Sequence, residues 1–373
     1  MRDSRVERLA TVLVDYSAAL RAGDRLWIEA ETAAEPLVRA LFERALEAGA
    51  HPFLAISFAG QDTYTGFDDS FLRLASEAQL DQAPIFHELA YREFDSRIRI
   101  YSSSNTRMLM QADPARLARR ARAVQSLTRT QFERGARGEF RWVTTIYPSV
   151  GHAHDAEMSV PEFESYVYRA CRVEEDDPVE AWRAFGRQQA KWTAALAGRD
   201  RVEIRSPDCD LRLSIAGRTF LGSSGTHNMP DGEIFTGPVE NSAEGWVRFS
   251  FPLIYKGHEV EGVELTFRQG QAATWKAAKN QAYLEQMLLT DRGARYLGEF
   301  GIGTNAALQR PTRNILLDEK IGGTIHLALG AGYPDTGSQN KSAIHWDMLC
   351  DMRRESEIRV DGEVVYRDGA FVI

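Results

Sequence analysis

The 373-residue sequence predicts an amino-terminal α/β domain, residues 1–189, followed by a strand-rich α+β domain, residues 190–373. Near the start, apolar strand-type runs alternate with an amphipathic helical pattern at the spacing of a parallel strand–helix–strand unit. Beyond about residue 190, short segments alternate apolar and polar residues with period two, the mark of paired, half-buried strands.

Taken in order, Leu9, Val12, Leu13, Tyr16 and Leu20 recur at helical spacing, and Gly23 stands where a C-terminal cap belongs. A first helix is therefore expected to end near Arg21. RLWIEA reads as a strand, PLVRALFERALEAG as a helix opened by proline and closed by Gly49, and FLAISF as a second strand. No GxGxxG or GKS/GKT follows the first strand, so no nucleotide site is expected there. IRIYSSS and RWVTTIYP read as further strands flanking a long arginine-containing helix, which carries the α/β layer to about residue 150. Within that helix, RLARRARA at 116–123 reads as a solvated basic face. His152 and His154, in GHAHDAEMS, form an HxH arrangement that is read as a surface or interdomain loop and not as a metal pair. The acidic VEEDDPVE at 173–180 and the helical pattern through AWRAFGRQQAKWTAALAG mark the crossover into the second domain. There RVEIRS, LRLSIA, WVRFSF and VELTF read as strands, and Asp361-Gly362 as the turn of a closing hairpin.

Composition narrows the function classes. The chain is 43% hydrophobic and 26% charged, ordinary values for a globular protein, and its formal charge of −8 argues against nucleic acid as a partner. No stretch approaches the roughly 18 uncharged apolar residues of a membrane span. Charges interrupt the apolar positions of the amino-terminal segment, unlike a signal peptide. Three scattered cysteines, Cys171, Cys209 and Cys350, make neither a disulfide framework nor a cysteine zinc site and fit a reducing compartment. A cytoplasmic enzyme is expected.

Metal-type side chains crowd the last third. In KSAIHWDM, strand alternation places His345 and Asp347 on one face, and neutral imidazole and carboxylate both ligate zinc, cobalt or manganese. Glu299 lies in LGEFGIGTN, where Gly298, Gly301 and Gly303 suggest backbone that turns sharply or approaches another group closely, holding the carboxylate on a shaped loop. His326 lies in GGTIHLALG, a glycine-bounded buried strand; by itself it reads equally as a core histidine satisfied by a carbonyl. Glu233 closes NMPDGE, whose turn places the carboxylate at the mouth of a strand, as a ligand or as a solvated turn residue.

The run HNMPDGEIFTGPVENSAEGWVRFSFPLIYKGHEVEGVEL, then DRGARYLGEFGIGTN, NILLDEKIGGTIHLALGAGYPDTG and NKSAIHWDM resembles, in this order, the aminopeptidase T and aminopeptidase S family of dinuclear metallopeptidases. The resemblance is densest from about Asn228 onward. It implies Glu233, Glu299, His326, His345 and Asp347 as metal ligands and Tyr333 as the active-site tyrosine. It also implies short peptides with a free N-terminus as substrates, and a homodimer in which the amino-terminal domain of one subunit helps enclose the other's catalytic chamber.

Five ligands exceed the three that one catalytic zinc needs, so two divalent ions, of zinc, cobalt, manganese or magnesium, are expected. The chemistry this implies is a metal-dependent aminopeptidase: a metal-bound hydroxide attacks the first peptide carbonyl, Glu299 or Asp347 bridges the ions, and Glu233 or Glu299 moves the proton to the leaving amine. Tyr333 is suited to the oxyanion. Asp318, Glu319 and Lys320 read as supports for the ligands or as a surface salt-bridge cluster, and Asn340 and Ser342 as polar contacts beside the pair at 345 and 347. The alternative is a mononuclear iron ring-cleaving dioxygenase built on His326, His345 and Asp347. A binding module would leave the whole ligand set idle.

Overall fold

A computed structural model describes residues 3–255 and 257–373. The chain forms two compact units, one of Met1–Trp182 with Gly225–Pro230, the other of Arg183–Ser224 with Asp231–Ile373.

In the first unit, helix α1 (Ser4–Thr11), capped by the Asp3 side chain, runs into a π-helical turn at Val12–Ser17. The helix expected to reach Arg21 therefore stops sooner; Ala19 adopts a left-handed φ of 43° and breaks it. Strand β1 (Arg25–Glu31), helix α2 (Glu35–Glu47) and strand β2 (His51–Ser57) form the expected unit, and β3 (Ser96–Tyr101) and β4 (Arg141–Ile146) extend the sheet. All four pair in parallel in the order β2-β1-β3-β4, and Asn228–Met229 returns to pair with β4, an addition no local pattern announces. One face of the sheet is apolar through Leu26, Ile28, Ile98, Ile100 and Val143, whereas the other buries Glu29, Arg97 and Arg99 as an ion-paired group.

Three short helices, α3 (Asp68–Leu74), α4 (Glu77–Asp81) and α5 (Ile85–Glu93), fill the span between β2 and β3, and α6 (Pro114–Ala136) precedes β4. The basic run in α6 is not a solvated face. Arg120 is buried and donates to the carbonyls of Thr63, Leu80 and Gln82, Arg116 donates to those of Leu72 and Ala75, and Arg119 pairs with Glu77 and Asp81. Those arginines satisfy backbone acceptors that the short helices leave open at their C-terminal ends. Nor is GHAHDAEMS a loop: helix α7 (Val150–Asp155) carries both histidines, with His152 buried and His154 exposed.

The second unit is dominated by antiparallel sheet. An eight-stranded sheet includes the expected pair Arg201–Ser206 with Cys209–Ser214 and the expected strands Glu244–Arg248 and Glu264–Arg268, which also pair, and toward one edge it carries the hairpin Glu357–Val360/Glu363–Arg367, followed by the edge strand Ala370–Phe371. Asp361 and Gly362 turn that hairpin with φ of 52° and 85°, the paired positive values a tight two-residue turn requires. The other large sheet contains β5 (Leu221–Ser223), β6 (Glu233–Thr236), β7 (Leu297–Gly303), β8 (Thr324–Gly330) and β9 (His345–Asp351), in the order β9-β8-β7-β6-β5. Both β7 and β8 are buried along their whole length, as their apolar runs require.

Among the described residues no helix is long and apolar enough to cross a membrane.

Candidate metal centre

Four neighbouring strands deliver the five expected ligand side chains to one face of this sheet. Residues directly opposite in an antiparallel ladder share a face, so the register can be read as a map. His326 stands opposite Gly301, Glu233 opposite Gly303, and His345 opposite Gly330. Glu299 and Asp347 flank Ala328 from either side. Every ligand thus projects over a glycine or alanine on the adjacent strand. At Gly301 the reason is measurable: a Cβ there would lie 2.0 Å from His326 Nε2. Gly298, Gly301 and Gly303 lie in strand β7, with a register irregularity at Gly298, and not in the shaped loop expected around Glu299; Gly301 clears room for His326, whereas a Cβ at Gly298 or Gly303 would meet the backbone of Ala331 or Ile321.

Two groups of ligand atoms result, each within 4.8 Å: Glu233, Glu299 and His326, and Glu299, His345 and Asp347. Glu299 belongs to both. Its Oε1 lies 3.1 Å from His326 Nε2 and its Oε2 3.7 Å from His345 Nε2. His326 Nε2 also lies 3.0 Å from Glu233 Oε2, and His345 Nε2 lies 3.3 Å from Asp347 Oδ2. His345 Nδ1 donates to the Ala331 carbonyl at 2.7 Å, which points Nε2 at the carboxylates.

Lys320 is wholly buried beneath this cluster. Its Nζ donates to Glu233 Oε1 and Glu319 Oε1 and lies 3.6 Å from Asp231 Oδ1. A buried ammonium is tolerable only when paired, and three carboxylates pair it. Burial opposes charge on Glu233, yet Lys320 and His326 outweigh it and hold the carboxyl at about 2. Asp347 is brought to about 2 in the same way, by His345 against burial. Glu319 goes the other way: burial pushes it up to about 8, although Lys320 pulls downward.

The donor set fits metal ions. Glu299 Oε2 and Asp347 Oδ1 are buried without a hydrogen-bond partner, and Glu233 Oε2 meets His326 Nε2 at 3.0 Å. Asp231, Glu233 and Glu319 surround the Lys320 ammonium, and Glu233, Glu299 and Asp347 converge with His326 and His345, a carboxylate-rich donor set of the kind divalent cations take.

The chain belongs to the thermophilic metalloprotease (M29) family. The family model matches residues 2–371. Aminopeptidase T of Thermus thermophilus is 27% identical over 401 aligned residues, covering 98% of this chain and 95% of that protein. The solved structure of wild-type AmpT from Thermus thermophilus superposes with a TM-score of 0.85 at 26% identity, covering 99% of each chain. That of 2,5-dihydroxypyridine dioxygenase from Pseudomonas putida KT2440 shares the fold, with a TM-score of 0.60 at 13% identity over 99% of this chain and 96% of that one.

Other expected residues sort by contact. Tyr333 is half exposed, its ring 5.2 Å from that of His345 and 5.6 Å from that of Phe235. Glu319 and Lys320 join the cluster, but Asp318 does not: its carboxylate accepts from Thr312 N and Oγ and braces the turn. Asn340 and Ser342 also face away from the pair at 345 and 347. Asn340 donates to the carbonyls of Gly293 and Gly330, and Ser342 donates to Asp291, so both pin the loop before β9. Asp231 was not anticipated; its place two residues before Glu233 in the same turn was the available signal. His152 and His154 take no part in either ligand group.

Proposed function

We propose that this chain is a metal-dependent aminopeptidase that releases N-terminal residues from short peptides with a free N-terminus, using two divalent ions. The observation that carries this reading is the pair of ligand groups sharing Glu299. Glu233, Glu299 and His326 would hold one ion, and Glu299, His345 and Asp347 the other. When bound, such a pair supplies Lewis acidity, acidifying water and polarising the peptide carbonyl.

The chain's own residues then divide the remaining work. Glu299, with one oxygen toward each group, spans the two sites. Lys320 engages Glu233 Oε1 and leaves Oε2 facing His326, which limits Glu233 to one oxygen toward an ion. Proton transfer to the departing amine falls to the carboxylates on either side of that ammonium, Glu233 and Glu319. Glu319 shares the Lys320 ammonium with Glu233, which links it to the ligand set. Tyr333, whose ring lies beside that of His345, would donate its hydroxyl to the developing oxyanion. Three free, buried cysteines support a cytoplasmic setting, and a homodimer is what the resemblance to the aminopeptidase T and aminopeptidase S family implies.

The oxygenase alternative is not favoured. It requires His326, His345 and Asp347 to converge on one ion, but His326 groups with the two glutamates and His345 and Asp347 with Glu299. The likeness to the dioxygenase, at 13% identity, is one of fold alone. Elemental analysis with a panel of aminoacyl substrates tests the proposal: about two ions per chain and chelator-sensitive release of N-terminal residues are expected. A single iron with oxygen consumption would overturn it.

A further inference from the structure

Phe235 lies two residues beyond Glu233 on β6, so the two side chains share the face that carries the ligands. Its row in the ladder runs His326, Gly301, Phe235, Leu221. Because the His326 imidazole lies over Gly301, the group of Glu233, Glu299 and His326 borders Phe235 directly.

Most of what this face offers beyond the ligands is closed. Both β7 and β8 are buried along their whole length, and Leu349, two residues beyond Asp347 on β9, is 1% exposed. Among the described residues of the five strands, Phe235 and Leu221 are the apolar side chains of the ligand face that stay partly exposed. Ile234 and Thr236, which point to the other face, are fully buried, so the exposure of Phe235 is not fraying of the strand. The Tyr333 ring, 44% exposed, lies 5.6 Å from that of Phe235 and 5.2 Å from that of His345. It joins the apolar strip to the second ligand group.

In an N-terminal residue, the α-carbon bears both the side chain and the carbonyl that is attacked, so the side chain begins about 2.5 Å from the carbonyl carbon. A carbonyl brought to the ligand groups therefore brings that side chain to their margin. On the β9 side the margin is the closed surface of Leu349, whereas on the β6 side it is Phe235, Leu221 and Tyr333. Charge settles which side chains fit. Glu233, Glu299 and Asp347 belong to the ligand groups, and Asp351, the remaining carboxylate on this face, is paired with Arg353. A basic side chain finds no free partner there, and an acidic one meets the ligand carboxylates.

We propose that Phe235, with Leu221 and Tyr333, forms the subsite for the side chain of the first residue, and that it selects peptides beginning with an aromatic or large aliphatic residue over those beginning with a small or charged one. The inference rests on the aminopeptidase reading above and gives it a substrate class.

The test compares kcat/KM for the p-nitroanilides of phenylalanine, leucine, alanine and lysine on the metal-loaded full chain. Wild type is expected to favour phenylalanine and leucine. Phe235→Ala should lower the ratio of phenylalanine to alanine by about 10-fold or more, the usual yield of apolar contact in a pocket. Leu221→Asp should raise the ratio of lysine to leucine about 2–5-fold, as a half-exposed ion pair does. Its position on an edge strand is partly exposed, so it carries the test if Phe235→Ala fails to fold. Calorimetry with the hydroxamates of phenylalanine and alanine gives a readout without turnover: wild type should bind the phenylalanine compound more tightly, and Phe235→Ala should erase the difference. Elemental analysis should find the metal content of both variants unchanged. A wild type that holds no pair of ions and releases no N-terminal residue would overturn the aminopeptidase reading and this subsite with it. Intact metal and release, with both ratios and the hydroxamate preference unmoved by the substitutions, would overturn the subsite alone.

Discussion

His345-Trp346-Asp347 and His152-Ala153-His154 have the same spacing and opposite fates. Both place metal-type side chains at i and i+2. On β9 the period of two points the pair to one face, and His345 Nε2 comes within 3.3 Å of Asp347. On α7 the same interval is a rotation of about 200°. His152 is driven into the first unit, where its Nδ1 meets Ser149 Oγ at 3.0 Å, and His154 is left in solvent. Ligand spacing therefore carries no meaning until the secondary structure beneath it is known.

The sharpest way to break the comparison is to remove a member of the strand pair. His345→Ala or Asp347→Ala should lower metal content and cut turnover by more than ~100-fold, beyond the loss typical of a mere orienting partner. The fold should survive, because Ile344 and Trp346 remain buried, Trp346 against Tyr255 and Tyr283. Elemental analysis, a peptidase assay and a thermal melt read these three outcomes separately. Full activity in either variant would remove β9 from the site.

The clearing under the ligands makes a second prediction. Gly301→Ala adds a methyl group where His326 Nε2 now sits, so imidazole or strand must move. Overpacking of this kind costs roughly 1–3 kcal/mol of stability. The variant should melt earlier and bind metal more weakly in a competitive chelator titration. Unchanged affinity would show that the glycine serves the backbone alone.

Lys320→Met sharpens the comparison from below. It should weaken metal binding by about 10–100-fold, the usual effect of losing a partner that orients a ligand. Glu233 would lose its hold on Oε1, and Glu319 and Asp231 would lose their cation. Metal affinity indistinguishable from wild type would reduce Lys320 to a charge-balancing role.

Much of this was legible in the sequence, for a physical reason. The β1–α2–β2 unit and the strands around His326 and His345 show their periodicity within ten residues, so local patterning suffices. The close approach that the glycines near Glu299 permit was legible, but the loop was not there: Gly301 makes room for His326, a residue far along the chain that only pairing brings opposite, and Gly298 and Gly303 let neighbouring backbone come close. The arginines of α6 failed for a related reason: Arg120 looks solvated in any helical projection, and the carbonyls that bury it come from Thr63, Leu80 and Gln82. Long-range pairing accounts for these two misreadings, whereas the helix at Val150–Asp155 was a local pattern too short to show its period.

The smallest effect on the proposed site belongs to the helix pair, and it appears in stability instead of catalysis. Burial depresses His152 to about 4, against a nearby Asp155 that favours its charge. A folded-state value below the unfolded 6.5 means that the native state binds fewer protons between the two, so stability rises with pH across that window. Acidification from about 6.5 toward 4 should thus withdraw up to about 3 kcal/mol. Replacing His152 with Gln should flatten the midpoint of chemical denaturation over this range, while His154→Ala, at an exposed position, should leave it unchanged. Neither substitution should alter metal content or turnover at neutral pH. Metal loss in either would mean that the HxH pair reaches the centre after all, and the contrast between strand and helix would fail with it.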